Sequence, residues 1–285
     1  MIDNNAIFIV GARGQLGLAL QAQYPGSQSA DIDTLDITDL NSVEKYDWSK
    51  IKIILNAAAF TNVDGAETPE GRIAAWKVNA TAVGHLVQIA AEHDITLVHV
   101  SSDYVFDGTR DPHTEDEDLS PLGVYAQTKA AGDIAVSLSP KHYLLRTSWV
   151  IGDGKNFVRT MLQLGQKGVS PTVVSDQVGR LTFTSELVKA IDHLLSNNAA
   201  YGTYNVSNAG DPASWADITR EIFKYAGFDL SVTDISTEDY YAGKDGIAPR
   251  PLRSTLSLDK IQGSGFNPTD WRTDLKQYIE QETNE

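Results

Sequence analysis

The chain has 285 residues, of which 41% are hydrophobic and 21% charged, a balance that suits one large core or a larger domain carrying a smaller one. Its formal net charge of −15 argues against non-specific binding to nucleic acid or to an anionic membrane, and the lack of cysteine excludes disulfides and thiol chemistry. No apolar run reaches the ~18 residues of a membrane span, and the start MIDNNAIFIV lacks the basic region and long apolar stretch of a signal peptide, so a cytoplasmic location is expected.

The first half of the chain alternates short apolar runs with helical patterns. Runs at 6–10 (AIFIV), 51–56 (IKIILN), 95–100 (ITLVHV) and 142–147 (HYLLRT) read as buried strands, with SQSADID at 27–33 a faintly marked candidate for one more. Helical patterns fall at 15–23, 72–92 and 125–137. Strands that are apolar throughout, alternating with helices, predict an α/β fold with a doubly wound parallel sheet of Rossmann type. Past Arg146 the rhythm loosens, with helices expected at 156–166 and 184–196 and strands at 171–175 and 203–206. A serine N-cap and a closing Gly227 frame a further helix at 214–227. The stretch 236–270, rich in Gly, Pro, Asp and Ser, reads as mostly loop, and the acidic TEDEDLSP at 114–121 as a solvated loop.

FIVGARGQLGLAL sets Gly11, Gly14 and Gly17 directly after the first strand and into the first helix. Glycines there permit a tight turn and a close backbone approach, so amides at the helix start can face a pyrophosphate. The plainer reading is a tight turn without ligand. A carboxylate for the adenosine ribose is expected about 20 residues on, where Asp31 and Asp33 stand. Such an acid favours NADH, whereas Arg13 within the glycine loop suits the extra phosphate of NADPH, so either cofactor stays open. The expected organisation is a dinucleotide-binding domain over 1–150, with 171–206 returning to it, and a substrate lobe over 207–285 to which 151–170 contributes.

YxxxK occurs three times, at Tyr46–Lys50, Tyr125–Lys129 and Tyr240–Lys244. On a helix this spacing puts phenol and ammonium on one face, which is equally the pattern of a plain surface. Context separates them: only Tyr125–Lys129 has a partner hydroxyl expected at a strand end, because ITLVHVSSDYVFDG runs straight off a strand into Ser101, Ser102 and Asp103. Ligands of open parallel sheets bind at the carboxyl ends of strands. A Tyr–Lys–Ser set suits carbonyl reduction: a nearby ammonium lowers the phenol pKa from about 10, the phenol exchanges a proton with the substrate oxygen, and the serine hydroxyl stabilises charge there.

The glycine turn, the serine after the fourth strand and YxxxK resemble the extended short-chain dehydrogenase/reductases. Longer words narrow the likeness: LNAAAFTNVDGAE (55–67), SSDYVFDG (101–108), GVYAQTKAAGD (123–133), LRTSWVIG (145–152), NFVRTML (156–162), SDQVG (175–179) and PRPLRSTL (249–256) look like the dTDP-4-dehydrorhamnose reductase family over nearly the whole chain. The resemblance implies reduction of the 4-keto group of dTDP-6-deoxy-L-lyxo-4-hexulose by NADPH or NADH, giving dTDP-L-rhamnose. It implies Ser102, Tyr125 and Lys129 as the catalytic set, with Lys129 also on the nicotinamide ribose. Around Gly11, Arg13 and Gly17, the cofactor words carried over are Gly14, Gln15 and Leu16, Asp36 with Ile37, and Ala59, Phe60 and Thr61, beside Asp31. Asp103 and Trp149 fall at sugar-contacting positions, Asn156 in a substrate-lobe word, and Arg250 and Arg253 are expected at the diphosphate, although either could be a plain surface cation.

Departures accompany the likeness. Gly132-Asp133 stands where the family has Gly-Glu, and Leu181 where it has proline. Some members form a metal-bridged dimer through a glutamate; Ala19 occupies that position, so a monomer or weak homodimer is expected. Others are fused to a sugar epimerase, and the short polar start MIDNN is compatible with fusion to or association with one. The six histidines show no metal-ligand spacing and read as helix-surface or strand residues, so no metal is expected. Two competing readings stand beside the reductase. A nucleotide-sugar epimerase or dehydratase uses the same pair but retains its NAD. A regulatory binding protein, like the methionine adenosyltransferase subunit that resembles this family, would not need an intact Ser102, Tyr125 and Lys129.

Overall fold

The computed structural model describes residues 3–284; the first two residues of MIDNN lie outside it. The chain opens with β1 (Ile7–Val10), α1 (Gln15–Gln23), β2 (Gln28–Ala30), α2 (Leu40–Lys45), β3 (Ile53–Asn56), α3 (Pro69–Trp76) and α4 (Ala82–Glu92). It continues through β4 (Thr96–Val100), α5 (Val124–Ser137), β5 (His142–Arg146), β6 (Val150–Ile151), α6 (Phe157–Gln166), β7 (Thr172–Val174), β8 (Val178–Gly179) and β9 (Thr182–Phe183). The remainder is α7 (Thr184–Ser196), β10 (Gly202–Asn205), β11 (Ala213–Ser214), α8 (Trp215–Ala226), β12 (Thr233–Ile235), α9 (Thr237–Tyr241), α10 (Asp259–Gly263) and α11 (Trp271–Asn284).

Six strands form one parallel sheet in the order β2-β1-β3-β4-β5-β10. Successive side chains of a strand face opposite ways, and both faces here are apolar. Ile7 and Ile9 point into one layer with Leu16 and Leu20 of α1 and Leu187 and Ile191 of α7. Phe8 and Val10 point into the other, with Val43 of α2, Val83 and Leu86 of α4 and Val136 of α5. Helices on both sides are the reason the strands read as unbroken apolar runs.

The single helical pattern expected at 72–92 is built in three pieces. Thr68 caps its start by accepting from the Gly71 amide at 3.1 Å, and Pro69 sits in the first turn, where its missing N–H costs nothing. A π-turn over Lys77–Thr81 then joins α3 to α4.

A smaller lobe gathers α6, α8 and α11 around a third core that includes Val158, Leu162, Ile218, Ile222 and Trp271. Of the stretch 171–206, expected to return to the main sheet, α7 and β10 do so, but β7 pairs in parallel with β12 in a separate ribbon. Helix α11 is an element the sequence reading passed over. Its Trp271, Leu275 and Ile279 recur every fourth residue and are fully buried against α8, each side chain contributing about 1.5–3 kcal/mol relative to exposure. The loop 114–121 also departs from its solvated reading. Glu115 accepts the Asn205 amide at 2.9 Å, and the 6%-exposed Glu117 side chain pairs at 2.9 Å with His113, which is buried and stacked on Phe106. His113 is thus a buried loop histidine, neither helix surface nor strand.

Candidate active site

From β1 the chain moves to β2 on one side, then crosses back to β3 on the other, so the crevice beyond β1 and β3 is a topological switch point. The glycine turn fills it. Gly11 has φ of 79°, and a Cβ there would lie 2.6 Å from the Ala58 amide nitrogen, so the turn and the loop after β3 meet only without a side chain. Gly17 lies under the turn, where a Cβ would run into the Gly11 carbonyl. Gly14 is the N-cap of α1 and offers no side-chain cap, which leaves the first amides of the helix free for an anion.

Two adjoining cavities follow this crevice. One, of about 410 Å³, is lined by Gly11, Arg13, Asp31, Asp36, Ile37 and Ala58 among others. The second, of about 510 Å³, is lined by Gln15, Leu16, Thr61, Tyr125 and Lys129 among others, and Arg13, Gly14 and Ala59 border both. Of the residues expected to meet a cofactor, Gly17 and Phe60 line neither cavity. Phe60 is instead clipped by Asn79, whose side chain accepts from the Phe60 amide at 2.8 Å and donates to its carbonyl at 3.1 Å. Asn79 also donates to Thr128 at 3.0 Å, tying the loop after β3 to α5 one residue before Lys129. It sits in the π-turn, a distortion common at functional sites. The sequence reading missed it; the signal is a polar residue on an otherwise apolar helix face.

Helix α5 starts at Gly123, with Glu67 accepting from the Val124 amide at 2.8 Å in place of a side-chain cap. That start brings Tyr125 to the second cavity. Ser102, two residues past β4, donates to Asp103 Oδ1 at 2.9 Å and accepts from the Tyr104 amide at 3.1 Å. Burial pushes the Tyr125 phenol up from its usual range, the Asp103 charge adds to that, and the Ser102 hydroxyl opposes it. Burial likewise raises Asp103 to about 6.

Lys129 is 1% exposed, and its Nζ donates to the Val100 carbonyl at 2.8 Å and lies 3.5 Å from His99 Nε2. His99 meets Asn56 at 2.9 Å, and Asn56 Oδ1 accepts from the Ala58 amide at 3.1 Å, so the lysine, a buried strand and the cofactor loop form one polar chain. Burial brings Lys129 down to about 8 against the opposing charge of Asp133. The expected lowering of the Tyr125 phenol by the Lys129 ammonium is therefore corrected: burial and Asp103 dominate the phenol, and the ammonium points at the sheet. Asp133, the shorter acid after YxxxK, is held by buried Arg146 at 3.0 Å.

A third cavity, of about 450 Å³, is walled by Tyr104, Phe157, Trp215, Tyr240, Tyr241 and Arg250 among others. Trp149, with φ of 46°, stacks on Trp215 at 3.8 Å between ring centroids. Arg250 lines this cavity and pairs with Asp64 at 2.8 Å. Arg253 and Asn156 line none of the three cavities. Among the described residues Arg253 reaches toward Asp111 at 3.8 Å and the Asp176 carbonyl at 3.5 Å, while its own carbonyl meets His113. Asn156 caps α6 by accepting the Arg159 amide at 3.0 Å and donates to Gly152 and Tyr278, which leaves its amide engaged within the protein. The other two YxxxK tyrosines also separate here. Tyr46 bonds Gln28 beside β1 and β2, while Tyr240 borders the third cavity with Lys244 over its ring at 4.0 Å. Among the described residues, no group of three or more His, Cys, Asp or Glu is placed to hold a metal ion.

The family model described as RmlD substrate binding domain matches residues 5–284. The chain belongs to this RmlD family. Among curated relatives, the dTDP-4-dehydrorhamnose reductase of Aggregatibacter actinomycetemcomitans is 35% identical, over 95% of this chain and 97% of its own. A crystal structure of a dTDP-4-dehydrorhamnose reductase from Clostridium acetobutylicum superposes with a TM-score of 0.90 at 36% identity, covering 97% of this chain and 99% of that one. That of the Bacillus anthracis enzyme, in complex with NADP, does so with a TM-score of 0.88 at 33% identity, covering 97% and 98%. In this member of the RmlD family, Gly14 of the glycine turn, Tyr125 and Lys129 line one cavity, and no helix of the described residues is long and apolar enough to cross a membrane.

Proposed function

We propose that this RmlD-family chain reduces the 4-keto group of dTDP-6-deoxy-L-lyxo-4-hexulose with NADPH or NADH, giving dTDP-L-rhamnose. The observation that carries the reading is that Tyr125 and Lys129 line the same cavity as the uncapped start of α1. The residues fit a dinucleotide: Gly14 with the α1 amides would take the pyrophosphate, Asp31 and Ile37 the adenosine half, and Lys129 the nicotinamide ribose. A reduced nicotinamide held there supplies the hydride to the substrate carbonyl carbon.

As that carbon is attacked, the C=O electron pair moves to oxygen, and Tyr125 gives that oxygen its phenolic proton. A phenol raised by burial is fully protonated at neutral pH, the state an acid for reduction requires. The phenolate regains its proton from solvent, closing the balance of ketone, reduced cofactor and one proton to alcohol and oxidised cofactor. Ser102 supports the developing oxyanion once its hydroxyl turns from Asp103 to the substrate. The aromatic walls of the third cavity suit a nucleobase by stacking, and Arg250 suits the diphosphate by paired hydrogen bonds.

The experiment is oxidation of NADPH and NADH, followed by absorbance, with dTDP-6-deoxy-L-lyxo-4-hexulose and with its UDP counterpart. Turnover of the dTDP sugar with product identified as dTDP-L-rhamnose is expected. No oxidation with either sugar would refute the reading.

A further inference from the structure

Two carboxylates and one guanidinium stand together at the rim of the first cavity. Asp31 directly follows β2, about 20 residues past the glycine turn, where Rossmann folds place the group that meets the adenosine ribose. Its Oδ2 accepts the Arg13 amide at 3.0 Å and its Oδ1 the Ile32 amide at 3.0 Å. Burial works against its charge, but those amides together with the Arg13 guanidinium outweigh burial and keep the carboxyl below its usual range. Asp31 is therefore an anion held by main chain, and swinging aside would forfeit both amide bonds.

Arg13 is the cation that the 2′-phosphate of NADPH would need. Its guanidinium is held two-pronged by Asp33, at 2.8 and 3.2 Å, and lies 3.4 Å from Asp31. Among the residues lining this cavity Arg13 is the one cation, facing Asp31 and Asp36 with Asp33 just behind it. The rim thus carries more carboxylate than guanidinium charge.

We propose that Asp31 and Asp33 make this chain selective for NADH over NADPH, Asp31 by accepting from the ribose hydroxyls and Asp33 by neutralising Arg13. The inference rests on the reductase reading. NADH offers hydroxyl donors to the remaining lone pairs of Asp31. A 2′-phosphate would instead bring two negative charges beside Asp31. Drawing Arg13 away costs little in itself, since exposed ion pairs are weak, but it leaves Asp33 bare next to the same phosphate. NADP bound to the Bacillus anthracis relative makes this selectivity a property of the rim and not of the fold.

The test is calorimetric titration of NADH and NADPH, without sugar substrate, into wild type and Asp33→Asn, with melting temperatures to show that both are folded. Wild type is expected to bind NADH about tenfold more tightly, the order of one charge pair screened by water, as these exposed groups are. Asp33→Asn keeps the side-chain shape and frees Arg13, so NADPH should tighten several-fold while NADH stays within about twofold. Wild type that binds NADPH as tightly as NADH would overturn the inference alone, as would an unchanged ratio in the folded variant. Binding of neither cofactor would overturn the reductase reading with it.

Discussion

Tyr104 stands edge-on to Tyr125, ring centroids 5.6 Å apart and planes at 83°. One ring faces the cavity that holds Lys129, the other the aromatic cavity that holds Arg250. The pair separates the two cavities, and on the proposed mechanism a sugar that reaches Tyr125 from the third cavity would lie along it. Chemistry and recognition are therefore separable by mutation.

Tyr125→Phe removes the proton donor and keeps the ring that packs on Tyr104, so kcat should fall by about 10²–10⁴-fold with little change in melting temperature. Tyr46→Phe and Tyr240→Phe should stay near wild type, because the first lies beside β1 and β2 and the second contributes a ring to the third cavity. Steady-state kinetics of the three variants checks this. Near-normal turnover in the Tyr125 variant would end the mechanism.

The two arginines of PRPLRSTL should part company. Arg250→Ala removes a cation from the wall of the third cavity and leaves Asp64 half-exposed, which is cheap. Loss of a charged hydrogen bond to a diphosphate costs about 1.5–3 kcal/mol, so the KM for the sugar nucleotide should rise roughly ten- to hundred-fold. Arg253→Ala should leave it near wild type. Equal KM increases in both would show that the diphosphate lies elsewhere.

Much of this site can be read along the chain, and what cannot has a physical reason. Strand runs and the glycine turn are legible because each is dictated locally, by apolar side chains or by a backbone needing φ above zero at Gly11. Ser102 is legible because it stands just past the end of β4, and Tyr125 because that strand-end hydroxyl singles out one of three YxxxK pairs. Spacing four apart places Lys129 near Tyr125 along the helix but does not say where a flexible Nζ points, and here it points to the Val100 carbonyl. Glu115 looks solvated because its partner Asn205 becomes a neighbour only once the chain has folded, and Glu117 because its local partner His113 is buried against the distant Arg253 carbonyl. Asn156 resembles a ligand-binding position, yet its amide is engaged by the backbone of its own helix and by Tyr278.

Lys129 sets function against stability. Its ammonium is buried, and its folded pKa of about 8 lies below the usual 10.5. The folded state therefore binds fewer protons than the unfolded one between those values, so stability rises with pH across that window, and the penalty is full below about 8. Lys129→Met removes the charge and most of that penalty, worth on the order of 1–3 kcal/mol after the lost bond to Val100 is subtracted. Melting temperature at pH 7 should rise by a few degrees, and the gain should shrink toward pH 10. Activity should fall sharply and cofactor binding weaken. A lower melting temperature at pH 7 would show that the ammonium is stabilised in place.

Asp103 gives the reaction a pH dependence of its own. Its carboxyl, raised to about 6 by burial, is mostly ionised at pH 7, where it accepts the Ser102 hydroxyl and faces the Tyr125 phenol. A carboxylate at that point opposes the negative charge growing on the substrate oxygen and holds the serine proton away from it. Protonation removes the charge and weakens the hold on the serine, since a neutral carboxyl accepts a hydroxyl less strongly. The kcat for reduction should therefore climb as pH falls through about 6, for as long as the protein stays folded, and level off below it. Asp103→Asn is neutral at every pH and should lack that step, with a higher melting temperature at pH 7 because a buried charge is gone. Measuring kcat from pH 5 to 8 at saturating sugar and cofactor decides it. A profile of the same shape in wild type and Asp103→Asn would mean that this carboxylate does not face the reacting oxygen.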